Sequence, residues 1–244
     1  MNAQKLLFAL AFLAALQLTC IAPAEAGSFS VTPVRIYMTP RDRAVAITLT
    51  NEGNTEVVLQ ADISDWTQQA DGTDELMPSE DLILSPPIIK LAPKARQVVR
   101  LALLKPADAS RQLIYRLVVR EVPEIAAAKE GQVQVPISLA LSMPIFITPA
   151  PAKRDVSCEA IRKDEVTLQA VCRNAGTAYA QIRDATIKRG TDVLAKFEGG
   201  TYILPGARKT LDLKTIAGSV GSGPAQLLVL FDDGKNQVFD AALP

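Results

Sequence analysis

Residues 133–148 read VQVPISLALSMPIFIT, with large apolar side chains at every second position: Val133, Val135, Ile137, Leu139, Leu141, Met143, Ile145 and Ile147. A period of two puts all of them on one face of an extended chain, with Gln134, Pro136, Ser138, Ala140, Ser142, Pro144 and Phe146 on the other. The pattern predicts a single, unusually long β-strand. Sandwich strands commonly run to about six residues, so a run of about sixteen exceeds what one core covers. Pro136 and Pro144 lack a ladder donor, which places the strand at a sheet edge. A long apolar edge is a template for another chain, and its retention points to strand addition by a partner. The competing reading is that the whole row lines the protein's own core, because core strands alternate in the same way.

The segments on either side of this strand are short, rich in Val, Ile, Leu and Thr, and separated by turn residues such as Asn51-Glu52-Gly53-Asn54 and Asp71-Gly72. Before it, strands are expected at 29–38, 44–50, 57–66, 82–84, 97–104 and 113–122, which with 133–148 is enough for a sandwich. After it, Thr148-Pro149-Ala150-Pro151-Ala152 cannot continue a ladder and forms a stiff connection. Beyond that boundary strands are expected at 166–173, 180–188, 192–197, 209–213, 225–231 and 237–242, with Asp232-Asp233-Gly234 as the last turn. The expected fold is all-β: two immunoglobulin-like β-sandwich domains, residues 27–149 and 150–244.

The first 26 residues read as a signal peptide. Lys5 supplies the positive start, residues 6–20 are almost wholly apolar, and Ala24-Glu25-Ala26 fits small-x-small cleavage before Gly27. Lipidation of Cys20 is the alternative, but the preceding Leu18-Thr19 matches a lipoprotein signal poorly. No later stretch supplies the roughly 18 apolar residues of a spanning helix, so no membrane insertion is expected after cleavage. Export implies an oxidising compartment, where Cys158 and Cys172 are expected to form a disulfide. Two thiols without companion ligands do not make a metal site.

Composition narrows the function classes. The 244 residues carry 26 basic and 26 acidic side chains, leaving no broad field to attract nucleic acid. Histidine is absent, which removes the commonest proton shuttle and imidazole ligand. An enzyme would have to rely on scattered acids such as Asp62, Asp65, Asp71, Asp74 and Glu75, which read more simply as a solvated loop. No catalytic residue, metal or cofactor is expected. Trp66, the only tryptophan, reads as a sandwich-core anchor or, alternatively, as a ligand-facing side chain.

An ordered series of motifs gives a more specific reading. Val31-Thr32-Pro33-Val34-Arg35-Ile36, Leu49-Thr50-Asn51-Glu52-Gly53 and Trp66-Thr67-Gln68 are followed by residues 82–87, Leu91-Ala92-Pro93 and Gln97-Val98-Val99-Arg100-Leu101. Tyr115-Arg116-Leu117 and Arg120-Glu121-Val122-Pro123 complete it. Together they resemble the amino-terminal domain of the periplasmic pilus-assembly chaperones of the chaperone-usher pathway, especially the archaic branch. The resemblance covers about residues 29–149; the remainder matches mainly in size and strand content.

The resemblance implies an L-shaped pair of sandwiches, located in the periplasm, whose partners are pilus subunits and an outer-membrane usher. Val135, Ile137, Leu139, Leu141 and Met143 match the donor strand that completes a pilus subunit's sandwich. Arg35 matches one of two basic cleft residues that hold the subunit's terminal carboxylate, and a guanidinium suits that role because it can make two parallel hydrogen bonds. An ion pair at the domain interface is the other reading of Arg35. The second basic position is occupied here by Met143-Pro144, and no motif assigns that role to Lys153 or Arg154 across the linker. Glu121 matches a family acidic position near the domain interface, with Thr148 at its usual partner's position. A structural or adhesive pilus subunit, pairing through the same edge strand, is the alternative function.

Overall fold

Residues that alternate between buried and exposed along each segment build the first domain as two stacked sheets. The computed structural model describes residues 29–123, 138–164, 166–216 and 218–243. One sheet runs in the order β1 (Phe29–Thr32), β3 (Ala44–Asn51), β8 (Arg96–Leu103), β6 (Leu82–Ser85). The other runs β2 (Ile36–Met38), β10 (Ala140–Ile147), β9 (Leu113–Glu121), β4 (Val57–Gln68), β5 (Asp74–Pro78), and β7 (Ile88–Leu91) also pairs with β4. Ile47 and Leu49 on β3, Val99 and Leu101 on β8, Leu117 and Val119 on β9 and Ile145 on β10 are all essentially inaccessible and close the core between the sheets. The buried Asn51 side chain donates to the carbonyls of Thr55, Leu91 and Ala92 and accepts from the Gly53 amide, so the turn after β3 leaves no unpaired amide inside.

The second domain is a single curled seven-stranded sheet, in the order β11 (Val156–Arg162), β12 (Thr167–Asn174), β15 (Arg208–Thr215), β14 (Asp192–Ile203), β13 (Ala180–Arg189), β16 (Gly223–Phe231), β17 (Asn236–Leu243). Its two end strands meet where Gln237 Nε2 donates to the Val156 carbonyl. Leu168, Ala170, Ile182, Ile187, Leu213, Leu227 and Val229 fill its core. Cys158 and Cys172 face each other across β11 and β12 and are disulfide-bonded, as expected.

The fold departs from the sequence reading in a few places, each with a local cause. The expected strand 29–38 is two strands in different sheets: β1 pairs with β3, and β2 pairs in parallel with the end of β10. Pro33 has no amide to donate, and the chain changes sheets there, leaving Val34 and Arg35 on the crossover. Strands β5, β7 and β11 were not foreseen. β5 is exposed along its whole length, β7 has only four residues, and β11 buries only Val156 and Ala160, so none carries a clear apolar alternation. The expected signal peptide with Cys20, the connection 124–131, and Val133, Val135 and Ile137 lie outside the described residues.

Reduction is expected to weaken the second domain selectively. The bridge closes a loop between residues 14 apart, worth about 3 kcal/mol by loop-closure entropy. Urea unfolding followed by amide exchange should show β11 and β12 opening earlier after reduction, with β8 and β9 unchanged; equal loss in both domains would contradict a local staple.

Candidate functional site: an open strand edge and the interdomain cleft

The backbone of β10 is paired on both sides at one end and on only one side at the other. All of Ala140–Ile147 pairs with β9, but β2 covers only Ile145–Ile147. The Glu121 amide donates to the Leu139 carbonyl, so the odd-numbered peptide groups of this strand point at β9. The Thr148 amide donates to Met38, so the even-numbered groups point the other way. Ala140 and Ser142 therefore direct their amide and carbonyl toward an edge that no strand covers among the described residues, and Pro144 stands on that same side without an amide, next to the first residue that β2 covers.

The apolar row splits along the same line. Ile147, Ile145 and Met143 are in the first domain's own core, Leu141 packs against its rim, and Leu139 is 37% exposed. Met143, expected in the partner-facing row, instead fills the chain's own core, because the opposing sheet reaches that far and no farther. Among the described residues Leu139 is the exposed end of the row, with Leu141 half-buried between it and the core.

The opposite, even-numbered phase of the same sheet faces the second domain at its lower end. Phe146 on β10 stacks on Tyr179 with ring centroids 3.9 Å apart, and Trp66 on β4 meets Tyr202 edge-on at 5.2 Å. Trp66 is 2% exposed, yet it belongs to neither sandwich core: with Phe146 and Leu204 it forms a separate cluster at the domain junction. The junction explains its burial, since the second domain covers the outer sheet face on which Trp66 stands.

Two glutamines complete the junction through backbone groups. Gln112 Nε2 donates to Thr148 Oγ1 at 2.6 Å while its Oε1 accepts from the Tyr179 amide at 2.9 Å. Gln68 Nε2 donates to the Tyr202 carbonyl at 3.1 Å and its Oε1 accepts from the Leu204 amide at 2.8 Å. Lys209 Nζ donates to the Gly72 carbonyl at the tip of the β4–β5 hairpin. Gly72 has φ +86°, and a Cβ there would lie 2.3 Å from the Arg208 carbonyl oxygen, so both its backbone and its closeness to the second domain require glycine. Glu121, expected near this junction, sits at the other end of β9, and Thr148 pairs with Gln112 instead.

Arg35 stands at the mouth of the cleft with a third of its side chain exposed, Nη1 3.8 Å from Asp232 Oδ2 of the second domain. Asp232 accepts from the Tyr179 hydroxyl at 2.9 Å. Burial, with the hydrogen bonds to Tyr37 and Asp232, pushes the Tyr179 hydroxyl well above the ordinary tyrosine range, so it remains a donor. Arg154 is committed elsewhere: it grips Asp233 through two bonds of 2.9 and 3.2 Å and lies over Phe231. Tyr37, Thr148, Lys153, Tyr179, Asp232 and Lys235 are among the side chains that surround a cavity of about 520 Å³.

A second guanidinium in the cleft was missed by the sequence reading. Arg116 on β9 lies 3.7 Å above the Trp66 ring and 5.9 Å from Tyr202. Among the described residues it makes no salt bridge or hydrogen bond, and burial pulls its affinity for protons below that of a free arginine. The signal for it was a lone charge in Leu113–Glu121, a strand apolar on both faces up to Arg120, in phase with the aromatic face of the sheet.

Comparison with known proteins agrees with this architecture. Residues 28–153 match the family described as pili and flagellar-assembly chaperone, PapD N-terminal domain. The chaperone protein FimB/FhaD of Bordetella pertussis is 26% identical over 144 residues, covering 57% of this chain and 58% of that protein. The probable fimbrial chaperone LpfB of Escherichia coli O157:H7 is 24% identical over 132 residues, 54% of each chain. The chain thus spans a little over half the length of the curated relatives it matches. Among solved structures, the CsuC–CsuE chaperone–tip adhesion subunit pre-assembly complex of the archaic Csu pili of Acinetobacter baumannii matches with a TM-score of 0.64 and 19% identity, over 89% of this chain and 99% of that one.

Gln112→Ala should uncouple the domains without unfolding either. It strips a partner from the Tyr179 amide and from Thr148, at a cost of about 1–3 kcal/mol for a buried unpaired group. Calorimetry should then resolve two transitions that are closer together or merged in the parent protein; an unchanged profile would mean that this glutamine does not hold the junction.

Proposed function

The chain belongs to the pili and flagellar-assembly chaperone family, and on that premise we propose that it is a periplasmic chaperone of the chaperone-usher pathway, of the archaic branch. It captures pilus subunits by lending them a strand and passes them to an outer-membrane usher. The observation that carries the proposal is the edge of β10, where Ala140 and Ser142 present backbone groups unpaired among the described residues beside the exposed Leu139 and the half-buried Leu141. A subunit lacking one strand satisfies its own ladder on this edge and takes the adjoining apolar side chains into its core. Val135 and Ile137 extend the donor row in sequence. Each large aliphatic side chain buried in this way contributes roughly 1.5–3 kcal/mol before ordering costs, enough for tight capture by binding alone.

The cleft supplies the other end of the site. Arg35 takes the terminal carboxylate of the subunit, and Arg116, which among the described residues closes no salt bridge, provides the second positive group that the donor strand lacks. Both lie where the parallel strand β2 ends the open edge, so a client strand running along β10 delivers its terminus into the cleft. The two-sheet first domain is complete without an added strand, which favours a chaperone over a pilus subunit.

Co-expression with candidate subunits of the same organism, followed by purification of one-to-one complexes, tests this. Arg35→Ala should change stability by less than about 1 kcal/mol, because its ion pair is long and partly exposed, while capture falls about tenfold or more through loss of charged hydrogen bonds. Leu141→Asp should abolish capture by placing an unpaired carboxylate in an apolar groove, whereas Ser142→Asp on the opposite face should be far milder. Normal capture by a folded Leu141→Asp variant would overturn strand donation.

A further inference from the structure

Arg35 already has a carboxylate partner inside the chain, and this contact has an unusual form. Only Nη1 approaches Asp232 Oδ2, at 3.8 Å, whereas a charge-assisted hydrogen bond closes to about 2.7–2.9 Å and a guanidinium can make two in parallel. The pair is close enough for attraction but does not close into a hydrogen bond with Asp232, the Tyr37 hydroxyl being the group that bonds the guanidinium. Asp232 is meanwhile held firmly on the second domain. Its side chain is only 15% exposed and accepts from the Tyr179 hydroxyl, and its amide donates to the Gln181 carbonyl. Tyr179 is itself fixed by stacking on Phe146 and by Gln112. Asp233 next to it is locked by Arg154.

We infer that Asp232 is a built-in competitor for the anchor: it occupies the field of Arg35 until a subunit's terminal carboxylate displaces it, and so sets which carboxylates the cleft accepts. This rests on the reading of Arg35 as a carboxylate anchor. A tethered carboxylate is present at high effective concentration and needs no translational entropy to remain in place, so a small free carboxylate competes poorly. A ligand that also gains a backbone ladder and apolar burial along β10 has the surplus to displace it. Asp232 thereby weakens every carboxylate equally in charge terms and leaves only those attached to a pairing strand bound, which is discrimination by a repulsive element. The same contact gives the second domain a part in capture, since the turn between β16 and β17 brings Asp232 to a first-domain residue.

Acetate is the minimal probe for the isolated carboxylate. The Nε–Hε resonance of Arg35 in the full ¹⁵N-labelled chain, assigned by its loss in Arg35→Ala, is followed during titration with sodium acetate, against sodium chloride at the same ionic strength. Asp232→Asn keeps an acceptor for the Tyr179 hydroxyl and should lower the half-saturating acetate concentration by about fivefold or more, as expected when a competing charge is removed. Asp232→Ser serves the same purpose should the amide disturb the turn. An Arg35 resonance that responds to acetate identically in the parent and in a folded Asp232 variant overturns the competitor role and leaves the anchor intact. A resonance that responds to acetate no more than to chloride in any of these proteins overturns the anchor reading and the competitor with it.

Discussion

The hydrogen-bond ladder between β9 and β10 fixes which way every peptide group of β10 points. With Leu139 facing Glu121 as a bonded pair, each odd-numbered residue of β10 is committed to β9, and each even-numbered residue offers its backbone to the other side. At Ile145–Ile147 that other side is taken by β2; at Ala140 and Ser142 it is open among the described residues. A one-residue slip would exchange these roles and would also turn the apolar row out of the core, so a single register holds both the edge and its side chains in place. Met143, Ile145 and Ile147 supply that constraint by burying themselves in the chain's own sandwich. The buried half of the strand thus serves as the footing for the exposed half.

The domain junction builds on the same phase. Because odd side chains face the core, Phe146 and, on neighbouring strands, Trp66, Ile114 and Arg116 face outward, and the second domain covers them through Tyr179, Tyr202 and Leu204. The junction is mostly aromatic, with Arg116 laid against its rings and Arg35 and Asp232 at its mouth. Arg116 lies against the ring faces of Trp66 and Tyr202, which attract a cation without neutralising it. Arg35, Arg116 and Asp232 then form a cleft with two positive groups and one negative group, at the point where a strand added along β10 would end.

Much of this could be read from residues 133–148. Alternation gave the phase of the strand, which forms over Ala140–Ile147 rather than all of 133–148, and Pro144 marks the end of its covered part, while Pro136 lies outside the described residues. How far the core extends along the strand could not be read, since that is decided by the opposing sheet, and Met143 falls inside it rather than outside. Trp66 and Phe146 were visible as apolar residues in the polar phase of their strands, but only the docked second domain explains them. Gln68 and Gln112 left no signal, because the second-domain groups they bond are backbone groups more than sixty residues away. Arg35 could be placed by its motif, while its neighbour Asp232 came from a turn that looked like ordinary turn chemistry. The disulfide was the simplest inference, since beyond the expected signal peptide Cys158 and Cys172 had only each other.

The account stands or falls on whether a subunit pairs with the backbone of β10. Hydrogen exchange at the Ala140 and Ser142 amides, measured in the free chain and in a purified complex with its subunit, tests that pairing directly. Both amides should exchange as open-edge groups in the free chain and slow by about a hundredfold or more in the complex, as ladder amides do. Equal exchange rates at both positions, in a complex shown to be intact, would contradict strand addition along this edge.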